Sequence, residues 1–307
     1  MASALNAPHF QDVDKAREYL EALRWPNGPV CPHCGSVSDE HYALKGKSHR
    51  PGLWKCKDCR EQFSVTVGTV FERSKIALNV WLQAVYLLCA SKKGMSSHQL
   101  HRTLGVTYKT AWFMAHRIRE AYRIPNPGPV GGGGKIVEAD ETFYGRIPGM
   151  KAKTGGDSAH KILALVERDG TTRSYHVPSV NATTLKPILQ AQIDPHTHLM
   201  TDGASHYKQV GKEFMAHEAV NHSQGEYARK SKVAGVTAHT NTVESFFGLL
   251  KRGLVGTYHH VSESHLQRYC TEFDFRFSHR KTTDAERADQ ALKQIGGKRL
   301  TYRRIEA

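Results

Sequence analysis

The chain has 307 residues, 39% apolar and 23% charged, enough of both for a packed core and a solvated surface. Lys and Arg outnumber Asp and Glu by 43 to 29, a net charge of +14, and a chain this basic faces a polyanion, most often nucleic acid. No apolar run of 18 residues is present, which excludes a helical membrane span. The start, MASALNAPHFQDVDK, has neither the basic nor the apolar part of a secretory signal, so the cytoplasm is the expected compartment, beside the nucleoid when DNA is bound.

Residues 1–27 read as an N-terminal helical arm. Val13, Ala16, Tyr19, Leu20 and Leu23 fall on one face at helical spacing, and Pro26 and Gly28 end it. Residues 28–73 are short-period and turn-rich, and such a segment buries too little core to hold itself together. A metal supplies what is missing. The segment carries CxxC twice, Cys31/Cys34 and Cys56/Cys59, with 21 residues between the pairs. Two such pairs on tight turns converge on one tetrahedral Zn²⁺. All four positions are then filled and none remains for a catalytic water, so the zinc is structural and the segment a zinc ribbon. Cys89 and Cys270 read as core residues, and no disulfide is expected in a reducing compartment.

Residues 74–123 read as helices. Between 41 and 123 there are 15 Lys/Arg against 4 Asp/Glu. Two helices meet at the short turn Gly105–Val106, a helix-turn-helix pattern with Thr107 as the second N-cap. The start of the second helix offers Thr107, Tyr108 and Lys109 to a major groove. His116, Arg117, Arg119 and Arg123 fall on its polar positions, with Ala111, Trp112, Met114, Ala115 and Ile118 facing inward. By itself the segment could equally be an ordinary helical hairpin. The neighbouring zinc knot and the charge turn the reading toward double-stranded DNA. IPNPGPVGGGGK at 124–135 reads as a linker. From 136 to 280, strand-like and helix-like segments alternate, predicting a mixed α/β sheet flanked by helices. Residues 281–307 end in a basic tail.

Three carboxylates stand out in the 136–280 region. In IVEADETFYG, Glu138 and Asp140 share one face of a strand, while Ala139 and Glu141 share the other. An acid in such a strand is costly unless paired or metal-bound. Asp202 ends an apolar strand before Gly203. Glu244 sits in the first turns of a helix, after His239 and Asn241. Each alone has a structural reading. Together, three hard oxygen donors suit Mg²⁺ or Mn²⁺, and two such ions about 4 Å apart stabilise the attacking and leaving oxygens of a phosphoryl displacement. The sequence holds no GxSxG and no GxxxxGK[ST].

The chain resembles the DDE transposases of bacterial insertion sequences, in particular the group with an N-terminal zinc ribbon and an ISXO-type catalytic domain. CPHCG, WKCKDCREQFSVTVGTVFE and the helix around Trp81 resemble its N-terminal part. VEADETFYG, LMTDG and HTNTVESFFGLLKRGLVGTYHHVSESHLQRYCTEFDFRF resemble its catalytic blocks. Residues 278–280 read Ser-His-Arg where the family pattern has an Asn. The resemblance implies an RNase H-like domain at 136–280 with Asp140, Asp202 and Glu244 as catalytic magnesium ligands; it gives no role to Glu138, Glu141, His239 or Asn241, of which Glu141 is a candidate to support the three. It further implies binding to the inverted repeats of an element and to target DNA, metal-dependent strand cleavage and strand transfer, and a homo-oligomer on DNA. Lys151, Lys153, Lys161, Arg229, Lys230, Lys232, Lys251 and Arg252 are candidate phosphate contacts. The alternatives are a domesticated, non-catalytic DNA-binding protein and another RNase H-like nuclease.

Overall fold

The computed structural model describes residues 3–151 and 158–301; Lys153 and residues 302–307 of the expected basic tail lie outside them. The chain divides into two compact units, Met1–Ile124 with Lys281–Ala307, and Pro125–Arg280.

In the first unit, helix α1 (Pro8–Gln11) leads into α2 (Val13–Arg24). Asp12 caps α2 by accepting from the Lys15 amide at 2.8 Å. The helix buries Ala16 and Leu20 completely, whereas Val13, expected on the same face, is half exposed. Strands β1 (Tyr42–Ala43), β2 (Trp54–Lys55) and β3 (Gln62–Phe63) form a small antiparallel sheet. Helix α3 (Leu78–Ala90) buries Trp81, Leu82, Ala84, Val85, Leu88 and Cys89.

Helix α4 (Ser97–Leu104) starts at Ser96, whose hydroxyl accepts from the Gln99 amide, and stops at Gly105, which turns the chain at a left-handed φ of +65°. Helix α5 (Tyr108–Tyr122) starts three residues later, capped by Thr107. The helix-turn-helix is thus present as the sequence spells it. Its second helix is not solvated on one whole side, however. Besides Ala111, Met114, Ala115 and Ile118, it buries His116, Arg117 and Arg119.

The second unit is built on five strands, β4 (Ile136–Tyr144), β5 (His160–Glu167), β6 (Thr172–Val177), β7 (His198–Asp202) and β8 (Ala216–Val220). Their order across the sheet is β6-β5-β4-β7-β8. β4, β5 and β6 form an antiparallel meander, and β7 and β8 run parallel to β4. Helices α6 (Ala182–Gln192) and α7 (Tyr207–Val210) cover one face, and α8 (Asn241–Gly253) and α9 (Glu263–Ser278) the other. The period of two divides the strands between two cores. Val137, Ala139, Leu163 and Leu165 pack with Leu185, Leu189 and Tyr207. Tyr144, Ile162, Ala164 and Val166 pack with Val243, Phe246, Leu266 and Phe273.

Three segments differ from the sequence expectation. Strands β9 (Ala228–Lys230) and β10 (Thr237–His239) make a hairpin within what reads as a basic loop; three residues are too few to show an alternation. The linker's Val130 is buried, accepting from the Asp194 amide and donating to the Gln192 carbonyl, so the end of that segment is knitted into the second unit. Residues 281–307, expected as a tail, begin with helix α10 (Asp284–Lys293), which Thr283 and Glu286 start with a reciprocal capping box. α10 packs on α2 and α3 of the first unit, and Arg287 donates to the Cys89 carbonyl at 3.0 Å.

The outer edge of the sheet is closed by side chains of α9. The Thr172, Ser174 and His176 amides of β6 donate to Ser278, Asp274 and Gln267, at 2.9, 2.9 and 2.8 Å. Gln267 also donates to the Ser174 carbonyl. An otherwise open strand edge is therefore spent within the fold.

Candidate active site and metal centre

Two turns of the same design carry the cysteines. The Cys31 amide donates to Ser36 O and the Cys56 amide to Glu61 O, both at 2.9 Å. The residue after each pair takes a positive φ, Gly35 at +78° and Arg60 at +65°. Only the first position is a glycine, so the second turn holds a costly conformation. The turns face each other. Cys31 and Cys59 sulfurs are 3.7 Å apart, those of Cys34 and Cys56 3.6 Å, and all four lie within 4.8 Å. Burial pushes the Cys56 thiol up, but the Cys59 and Asp58 amides outweigh it and bring the thiol down to about 6. At Cys59 the Glu61 amide lowers the thiol, but burial and the neighbouring sulfurs outweigh it and push it up to about 12. One thiolate thus forms readily and the rest call for a cation's charge. Four sulfurs on two knuckles, joined by strands of two residues each, fit a structural Zn²⁺. His33 stands outside the knot, its ring nitrogen 3.2 Å from Gln62 O.

The carboxylates sit at the centre of the second unit's sheet. In the parallel pairing of β4 with β7, the last matched residues are Ala139 and Thr201. One step further puts Asp140 beside Asp202, at the carboxyl end of β7. Asp140 Oδ1 accepts from the Glu141 amide at 2.7 Å, and Asp202 Oδ1 from the Ala204 amide at 3.0 Å. Glu244 is on the first turn of α8, where Thr240 donates to it at 2.8 Å and the His222 ring lies 3.5 Å away. Burial pushes the Asp140 carboxyl up to about 7. The Glu141 amide opposes this, and the charges of Glu141, Asp202 and Glu244 add to it. That repulsion places the three sequence-predicted carboxylates in one electrostatic neighbourhood. They form an open group: among the described residues, they do not close to within 4.8 Å as the cysteines do.

Glu138 and Arg168 hold this arrangement, and sequence reasoning missed the second of them. Glu138 is fully buried two residues before Asp140. It accepts from the Thr242 and Val243 amides at 2.7 and 2.9 Å, from the Thr242 hydroxyl, and from Arg168 at 2.6 Å. The first amides of α8 are thus satisfied by a carboxylate of β4, which favours the helix dipole as well. Arg168 also donates to the Thr237 and His239 carbonyls at the hairpin. On the sheet's other face, Glu141 accepts from the Tyr207 hydroxyl and lies 3.2 Å from the His206 ring. Its hydrogen bond is the main reason that the His206 pKa is raised.

The expected DNA contacts separate into two sets. Thr107, Tyr108, Lys109 and Arg123 are at the surface. His116, Arg117 and Arg119 are buried and cannot meet a groove in this conformation. Arg117 donates to the Glu72 carbonyl at 2.7 Å and stacks over Trp81 and Phe113. Of the candidate phosphate contacts, Arg229 is taken by Glu218 and Glu226, while Lys230, Lys232, Lys251 and Arg252 are exposed.

A five-stranded sheet of this order and direction, with one acid midway along β4 beside another at the carboxyl end of β7, has the RNase H-like arrangement. The chain's residues 131–278 match the ISXO2-like transposase domain, and residues 12–62 the transposase zinc-ribbon domain. An uncharacterized protein in transposable element ISH50 of Halobacterium salinarum is 30% identical over 282 residues, covering 87% of this chain and 91% of that one. The chain belongs to this insertion-sequence transposase family. Solved structures of Mos1 transposase are also similar. The strand transfer complex shares 13% identity over 70% of this chain and 74% of that one, with a TM-score of 0.28. The paired-end complex with the left transposon end shares 13% over 70% and 78%, with a TM-score of 0.27. Superpositions this loose carry no detail across. Among the described residues no helix is long and apolar enough to cross a membrane.

Proposed function

We propose that this transposase cuts and joins DNA at the inverted repeats of its element by phosphoryl transfer at Asp140, Asp202 and Glu244. The supporting observation is the Asp140 carboxyl, raised by burial and by three neighbouring acids in a group made only of oxygen donors. Such a group calls for a hard divalent cation to neutralise it, and Mg²⁺ or Mn²⁺ fits. When bound, the cations supply charge neutralisation for the attacking and leaving oxygens of an in-line displacement. Asp140 and Asp202 present their oxygens from adjacent strands of a rigid sheet. Glu244 presents its own from a helix whose start Glu138 fixes. No side chain forms a covalent intermediate, so a 3′-OH freed by cleavage can attack target DNA at the same site. Thr107, Tyr108 and Lys109, at the exposed start of α5, read bases, and exposed lysines hold phosphate. Synapsis of two ends calls for two or more copies on DNA.

The test is purified protein with Mg²⁺ or Mn²⁺ and a labelled duplex carrying one flanking inverted repeat, wild type beside Asp202→Asn. Cleavage at the repeat end by the wild type alone is the expected result. Specific binding with no cleavage by either protein, under both metals, would leave a DNA binder and remove the catalytic reading.

A further inference from the structure

A second group of ligand-type side chains lies away from the acids. His160 opens β5, His176 lies on β6, and Glu263 is the first residue of α9. Their donor atoms all lie within 4.8 Å of one another. The register explains the meeting. Ile162 pairs with His176 across β5 and β6, so His160, two residues from Ile162, shares a face with His176 and lies diagonal to it. The two rings stand edge to face, 5.3 Å apart. α9 packs along β6 on this face and brings Glu263 to the pair.

His160 gives the second observation. It is 5% exposed, and its Nδ1 is buried with no hydrogen-bond partner among the described residues. A buried ring nitrogen left unmatched is costly, and a cation would satisfy it. Tyr144 pairs with His160, and Asp140 with Ala164; the site is therefore four residues, about 13 Å, along the strand from Asp140.

We propose that His160, His176 and Glu263 form a binding site for a borderline-soft divalent cation, Zn²⁺ by preference, separate from both the cysteine knot and the catalytic acids. Two imidazoles and one carboxylate suit zinc rather than magnesium. Around a tetrahedral Zn²⁺ the donors stand about 3.4 Å from one another, and these already lie within 4.8 Å, with Glu263 at an exposed position. Three protein ligands leave a fourth position for water. The ion ties the first turn of α9 to the two outer strands that α9 covers.

The experiment uses full-length protein with its ribbon zinc in place and excess Mg²⁺ present, titrated with Co²⁺. One equivalent should bind with visible d–d bands and without the near-ultraviolet thiolate charge transfer of a cysteine site. Glu263→Gln, at an exposed position, should weaken that equivalent tenfold or more with an unchanged circular dichroism spectrum, and His176→Gln should abolish it. Zn²⁺ should raise Tm for the wild type, less for Glu263→Gln, and not for His176→Gln. The proposal is overturned if all bound Co²⁺ shows thiolate charge transfer. It is equally overturned if both variants bind the extra equivalent as the wild type does.

Discussion

The cysteine knot and the carboxylate group, for which we propose a metal as well, are built in opposite ways. The knot's ligands lie on two six-residue turns joined by strands of two residues. Beyond the metal, only a small cluster of Trp25, His41, Trp54 and Phe63 backs the sulfurs. The acids stand on a sheet with a core on each face, and the fold gathers them whether or not a cation is near. In the first case metal makes the structure. In the second the structure stores repulsion, which the proposed cations would relieve. Where the scaffold is poor, ligand spacing is local and legible; where it is rich, ligands come from distant segments.

The sharpest way to break this contrast is to remove metal from each site. Chelating zinc, or Cys31→Ser, should unfold the ribbon, since structural zinc contributes on the order of 10 kcal/mol to such knots. Limited proteolysis should then cut within 28–68 while leaving 125–280 protected, and protection of both would contradict the contrast. For the acids the sign reverses. A carboxyl held at about 7 in the folded chain and near 3.8 in the unfolded one binds its proton more tightly when folded. Its ionisation therefore costs nothing below about pH 4, and the full penalty is reached above about pH 7, at most about 4 kcal/mol. Asp140→Asn should raise the metal-free Tm at pH 8, lose that advantage at pH 4, and abolish cleavage. A Tm that falls at pH 8 would show that the group is not repulsive.

Two smaller effects sharpen the comparison. Glu138→Ala leaves Arg168 and the α8 amides without their acceptor and should cost about 3 kcal/mol. Cleavage should fall while DNA affinity stays the same; unchanged cleavage would mean that α8 is placed by other contacts. In the first unit, Arg117→Ala should destabilise by about 2 kcal/mol without altering the salt dependence of DNA binding. Lys109→Ala should do the reverse, lowering affinity by about 1 kcal/mol and the salt slope by about 1.

The sequence showed the knot through doubled CxxC and the shared face of Glu138 and Asp140 through strand alternation. It misplaced His116, Arg117 and Arg119 because charge was taken as a mark of the solvated face. α5 is covered on more sides than one, and Arg117 meets its burial with a carbonyl and two aromatic rings. Arg168 was invisible for a different reason. Its partner lies 30 residues back and its carbonyls 69 and 71 ahead, so no local pattern links them. The meeting of His160, His176 and Glu263 likewise exists only once register and helix packing are known.

The closed edge of β6 sets an order of events when the chain is made. Its amides find their acceptors 91 to 106 residues later in the sequence. At about 5–20 residues per second, the outer strand leaves the ribosome some 5–20 s before the helix that seals it. Through that interval the nascent sheet presents an open edge to any other strand nearby. Ser278, in the final turn of α9, completes the cover over that edge.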